Sequence, residues 1–119
     1  MLLALSLLIG IPGYSQAPDI PSDGIYKEIA PGASVTITWT YPDEIRPKIK
    51  FFRIRKGQTA GGTYIAFATV SRDLSEFQFY PSGSCQVFVS AVWDYTDPNG
   101  IITTRETPGS NHVQIFVRK

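Results

Sequence analysis

The sequence holds one cysteine and one histidine in 119 residues. A lone cysteine, Cys85, closes no intramolecular disulfide, so the chain is not a small disulfide-stapled scaffold. Cys85 and His112 are also too few for a zinc site of the Cys/His type. No Asn-x-Ser/Thr sequon occurs, since Asn99 precedes Gly-Ile and Asn111 precedes His-Val, and N-glycosylation is not expected. An excess of either charge is missing too. Eleven basic and ten acidic residues leave a net charge of +1, which gives no electrostatic case for nucleic acid or an anionic membrane as partner. Gly61-Gly62 lacks the Lys-Ser/Thr of a phosphate-binding loop. No carboxylate pair stands in a general acid/base frame, and no cofactor is implied. Nor does any segment carry a long 3.6-residue apolar period, so no helix is expected beyond the N-terminus.

What is present begins with an apolar run, Met1 to Ile11, ended by Pro12 and Gly13 and followed by Tyr14-Ser15-Gln16-Ala17. This is the apolar core and cleavage zone of a signal peptide over residues 1–16, although no Lys or Arg precedes the run. Ser15, with Gly13 upstream, is the better cleavage site, because cleavage after Ala17 would leave Pro18 next. The run is too short to span a bilayer, so no transmembrane segment is expected in the mature chain. A buried first strand is the competing reading. Residues 17–33 read as a linker with an edge strand over 25–29, and residues 34–119 as one domain. The aromatic content of 13% and hydrophobic content of 43% suit a packed core.

Strands show as period-two alternation. In Ser34–Thr40, Val35, Ile37 and Trp39 face one way and three threonines the other. Residues 49–56 put Phe52 and Ile54 inward. Residues 64–70 form a strand, and Phe77 and Phe79 are inward in 76–79. Val87, Val89 and Ala91 are inward in 86–93. Asp97-Pro98-Asn99-Gly100 is a tight turn, and 111–118 closes the chain with Val113, Ile115 and Val117 inward. Short strands between turn signals indicate a sandwich or barrel.

The patterns Val35-x-Ile37-x-Trp39, Phe52-x-Ile54 and the stretch from Phe79 through Pro81 to Ala91 resemble the second, third and sixth strands of fibronectin type III domains. Phe79 stands where that family carries leucine, and Cys85 where it carries the corner tyrosine. The resemblance spans about 34–119. It implies an all-β fold, a seven-stranded antiparallel β-sandwich with the third, sixth and last strands in one sheet. It also implies a non-enzymatic module in adhesion, scaffolding, or an accessory role on a cell envelope or virion.

A Cys85–His112 nucleophile pair needs hydrogen-bond reach. The expected strands put Cys85 opposite Val117 and His112 opposite Ala91, on the order of 20 Å apart, with Pro108-Gly109 breaking the register of a continuous hairpin. Asp94 and Asp97 with Asn99-Gly100 fall short of a calcium loop, and Asp43 and Glu44 are loop acids, so no metal site is assigned. The outward alternates of the third, sixth and last strands are the candidate binding face: Phe51, Arg53 and Arg55; Phe88 and Ser90; His112, Gln114, Phe116 and Arg118. Phenylalanine with arginine is an interface composition. A protein partner is the first expectation. Self-association through this aromatic face is the alternative, and a carbohydrate-binding sandwich using Trp93, Tyr95 and Tyr41 is a third. Secretion, a periplasmic location or surface attachment follows from the export segment. Mass spectrometry of the exported product is expected to show a new N-terminus between Gln16 and Pro18. A full-length cytosolic product starting at Met1 would overturn the export reading.

Overall fold

Burial follows the alternation of the sequence. Val35 and Ile37 are buried while Thr36 and Thr38 are exposed, and Phe52, Ile54, Val87, Val89 and Ala91 are closed off from solvent. The computed structural model describes residues 16–58 and 62–118. The export segment and part of the turn expected over 57–62 lie outside the described residues. Eight strands are formed: β1 (Tyr26–Ile29), β2 (Val35–Thr38), β3 (Phe51–Gly57), β4 (Ile65–Ser71), β5 (Glu76–Phe79), β6 (Cys85–Thr96), β7 (Ile102–Glu106) and β8 (Val113–Val117). Antiparallel β2 and β5 make the small sheet. The large sheet runs β1-β8-β6-β3-β4, with β7 also paired to β6. This is an all-β sandwich with the third, sixth and last strands in one sheet, as the fibronectin type III resemblance implies. Among the described residues the strands number eight rather than seven.

The extra strand is β7. Its sequence, Ile-Thr-Thr-Arg-Glu, has no apolar face, and four of its five residues are exposed, so alternation gave no signal there. Asp97 shapes the turn before it. Its backbone carbonyl accepts from Gly100 N at 2.9 Å, and its carboxylate accepts from Asn99 N and Ile101 N at 2.8 and 2.9 Å. Gly100 takes φ +85°, a conformation that glycine adopts without steric cost.

The expected register break at Pro108-Gly109 is smaller than the sequence suggested. β6 pairs with β7 at Val92↔Glu106 and with β8 at Val87↔Val113, so one hairpin continues through a bulge. Across it, Thr107 N donates to Ala91 O at 2.9 Å and Ser110 N to Val89 O at 2.8 Å. In return, Ala91 N donates to the Thr107 hydroxyl at 3.0 Å and Val89 N to the Ser110 hydroxyl at 2.9 Å. Two buried hydroxyls thus replace the carbonyls that a regular ladder would supply. Cys85 consequently faces Ile115, not Val117.

Within residues 17–23, expected as a linker, Pro18 and Ile20 are buried in the domain while 21–23 are exposed. Ile20 is a core residue, its N–H donates to Asn111 Oδ1 at 2.8 Å, and its carbonyl accepts from Asn111 Nδ2. Asp19 bridges to Thr40. The chain then forms β1, parallel to β8, which closes one side of the sandwich.

Thr107→Val keeps the shape but leaves the buried Ala91 N–H without its hydroxyl acceptor. The expected loss is about 1–3 kcal/mol, read from urea midpoints, with Thr107→Ser retaining most of the wild-type stability.

Candidate functional site

β3, β6 and β8 bring the candidate face together. Phe51 lies across from Val92, Arg53 from Ser90 and Arg55 from Phe88. Gln86 lies across from Gln114, and Phe116 continues beyond it on β8. β1 extends the face, with Tyr26 beside Gln114 and Glu28 beside Phe116. The residues share one side of one sheet, but the three phenylalanines do not form a contiguous strip. Phe51 and Phe88 are separated by four residues, about 13 Å of strand, and Gln86 and Gln114 lie between Phe88 and Phe116. Polar side chains fill both intervals.

The centre of the face is an ion cluster. Arg55 donates to Glu106 through Nε at 2.8 Å and Nη2 at 2.7 Å, and Arg53 Nη1 donates at 3.1 Å. The Ser90 hydroxyl donates to the same carboxylate. These bonds hold the Glu106 carboxyl at about 2, with the Arg55 hydrogen bond the largest cause, against the opposing effect of partial burial. Arg53 and Arg55 are therefore both engaged within the chain, and the cluster keeps one net positive charge. Arg53 also lies 5.5 Å from the Phe51 ring centroid. Glu106 escaped sequence reasoning because it sits on the polar strand β7. Its only signal was a lone acid among exposed residues.

The second cluster is aromatic. Phe88 stacks on His112 with centroids 4.9 Å apart and planes 15° apart, and Tyr64 lies 5.1 Å from each ring. Tyr64 donates its hydroxyl proton to Gln86 Oε1 at 2.9 Å. Phe88 also presses against Gly109, where a Cβ would come too close to the ring to fit without a shift. Phe88 thus packs the bulge, and a serine there would disturb the fold as well as the surface. Tyr64, expected as the first residue of the 64–70 strand, immediately precedes β4 and gave no alternation signal for this face.

What remains accessible is the β1–β8 half. Tyr26 is 57% and Phe116 43% exposed, and Arg118 makes a 3.8 Å ion pair with Glu28 between two half-exposed side chains.

Other candidates resolve differently. Cys85 belongs to the core, its thiol pushed up chiefly by burial, whereas His112 stacks on the outer face, so the two lie on opposite sides of the sheet. Tyr41 and Trp93 are buried, and the Tyr41 hydroxyl is pushed up to about 12 by burial. The three aromatics considered for carbohydrate therefore make no flat exposed platform. Asp94 pairs with Lys50 at 3.4 Å. An open cleft of about 580 Å³ lies over Arg46 between Asp43, Asp73 and Glu76. The Arg46 guanidinium is already spent on Arg72 O, Leu74 O, Tyr41 O and the Ser75 hydroxyl, which tie the loops at that end together.

No family model and no curated protein matches this chain. Among solved structures it is similar to a Fn3-like protein from Clostridium thermocellum, at 19% identity over 87% of this chain and 88% of that one, with a TM-score of 0.48.

The Glu106 carboxyl is lower in the folded chain than its ordinary value near 4.5. Its contribution is therefore complete above about pH 4.5 and is lost as the pH falls toward 2. The displacement corresponds to at most about 3 kcal/mol, and solvent at the partly exposed carboxylate reduces it to about 2. Glu106→Gln should melt lower than the parent at pH 7, and the gap should close as the pH falls from 4.5 toward 2. A pH-independent gap would show that the cluster acts through packing alone.

Proposed function

We propose that this chain is an exported, non-enzymatic β-sandwich module that binds another protein through the β1–β8 half of its outer sheet face. The observation that carries the reading is the exposure of Tyr26 and Phe116, at 57% and 43%, diagonal to one another on neighbouring strands and two residues apart in register. Exposed aromatics on one face are anchors of the kind that dominate binding energy when a partner desolvates them. Arg118, Glu28 and Gln114 supply the polar rim such anchors usually have. The ion cluster and the packed Phe88 keep the rest of the sheet rigid, so little ordering is lost on binding. Export rests on the apolar run Met1 to Ile11 and accords with a module whose partner lies outside the cytoplasm.

Replacing Tyr26 and Phe116 together by serine should leave the melting temperature within a few degrees and weaken partner binding by more than about tenfold, the equivalent of losing ~2 kcal/mol at an anchor. A photocrosslinker at Gln114, used in the exported fraction, identifies the partner. Titration with that partner then gives the two affinities. A folded double variant that binds the partner unchanged would remove this face from the function.

A further inference from the structure

The two edges of the large sheet are unlike. β1 is four residues long, carries Lys27 and Glu28, and runs into Pro31-Gly32. These are features that blunt an edge against pairing. β4 is seven residues long and lies in a stretch, Gly62 to Ser71, with neither a charge nor a proline. Among the described residues no strand pairs with its outer edge. Two of its apolar side chains are open to solvent, Ile65 at 60% and Phe67 at 38%.

The side of the sandwich beneath this edge is also open. Ile20 and β1 close the opposite side, but between β4 and β5 the core ends in an aromatic cluster. Phe67 meets Phe79 at 5.2 Å and Phe77 at 6.1 Å, both edge to face, and Lys56 Nζ lies 4.6 Å above the Phe67 ring. A strand added to β4 would satisfy its outward backbone groups and cover this cluster.

We infer that β4 pairs antiparallel with β4 of a second copy of this chain, joining two large sheets edge to edge about a twofold axis. Two features select a second copy. First, a strand without charge lies opposite itself without placing like charges across the ladder. Second, the charges at its two ends are complementary. Lys56 sits across from Ile65 at one end of β4, and Asp73 lies two residues past Ser71 at the other, beyond Arg72, whose guanidinium is held on the carbonyls of Pro47 and Ile49. Among the described residues neither has an ion-pair partner. An antiparallel twofold brings Asp73 of each copy alongside Ile65 of the other, two strand spacings or about 10 Å from Lys56, within reach of a lysine side chain. A parallel arrangement would bring Asp73 beside Asp73. The shared edge is short, so the interface falls below the ~1,200 Å² of stable complexes and the dimer is concentration-dependent. It leaves Tyr26 and Phe116, at the far edge, uncovered and so stands apart from the partner face.

Sedimentation velocity of the chain over about a hundredfold range of concentration should show a reversible monomer–dimer equilibrium. Thr69→Glu, exposed on β4 and across from Arg53, puts two carboxylates close together across the twofold. It should shift the sample to monomer with unchanged melting. Lys56→Glu and Asp73→Lys should each weaken the dimer, and the double swap should restore it, a result that simple loss of stability would not give. A monomer at every concentration overturns the inference. So does a dimer that survives Thr69→Glu, or a double swap no tighter than the single ones.

Discussion

A sheet of two short strands does not hold itself together in water, and β2 and β5 have four residues each. They persist because Val35, Ile37 and Trp39 are buried against the large sheet, and the rest of the architecture follows from that burial. Phe52 is its focus. It is fully buried, Trp39 meets it edge-on at 5.3 Å and Tyr41 at 5.2 Å, and the Arg46 guanidinium lies 5.5 Å from its centroid. Burying such a ring contributes roughly 2–3 kcal/mol, with the aromatic edges adding to it. The loops at this end are fixed by two arginines used as hydrogen-bond forks. Arg46 reaches the carbonyls of 72 and 74, and Arg72 reaches those of 47 and 49. Each ties the connection before β3 to the connection before β5, so inter-sheet packing and loop closure support one another.

The outer face obeys a different constraint. Ser90 and Val92 point away from the core yet are as inaccessible as Ile54. Ser90 lies under the Glu106 carboxylate, and Val92 is flanked by Phe51 on β3 and Glu106 on β7. Long charged side chains cover surface with their stems while their heads pair above it. Two arginines one pleat apart would repel one another, and Glu106 removes that conflict by bonding both. The face is therefore not uniformly adhesive. Its middle is sealed by charge, its β8–β6 corner is packed by Phe88, Tyr64 and His112, and accessible aromatics persist only where β1 meets β8.

How far the sequence disclosed this depends on which elements have two different faces. β2, β3 and β6 separate core from exterior, and their inward residues, Val35 through Ala91, were legible as alternation. So was the side on which Phe51, Arg53, Arg55, Phe88, Gln114 and Phe116 lie, because period two fixes facing once the inward set is known. Register was not legible to the same degree. The turn at Pro108-Gly109 reads as a break, whereas Thr107 and Ser110 carry the ladder through it by lending hydroxyls, a capacity no periodicity shows. β7 was invisible because neither face is buried, and with it went Glu106, whose arginine partners lie more than fifty positions earlier in the chain. Ile20 looked like a linker residue because a single isoleucine among prolines and aspartates carries no period.

The two sides of the sandwich give the fold a direction. Chain order puts the N-terminal segment against β8, where Ile20 plugs the core and β1 adds a short, charged edge. Nothing in the described chain performs that service for β4 and β5. Closing both sides would take a further strand on the small sheet, and β1 is committed to the large one by its parallel register with β8. Phe67 and Phe77 therefore stand at a seam on the β4–β5 side, at the far edge of the large sheet from Tyr26 and Glu28. The accessible aromatic corner and the uncharged edge thus lie at the two ends of one sheet. Moving β1 to the small sheet would remove Tyr26 from the outer face and expose the edge of β8, while the edge of β4, three strands beyond β8, would stay as it is.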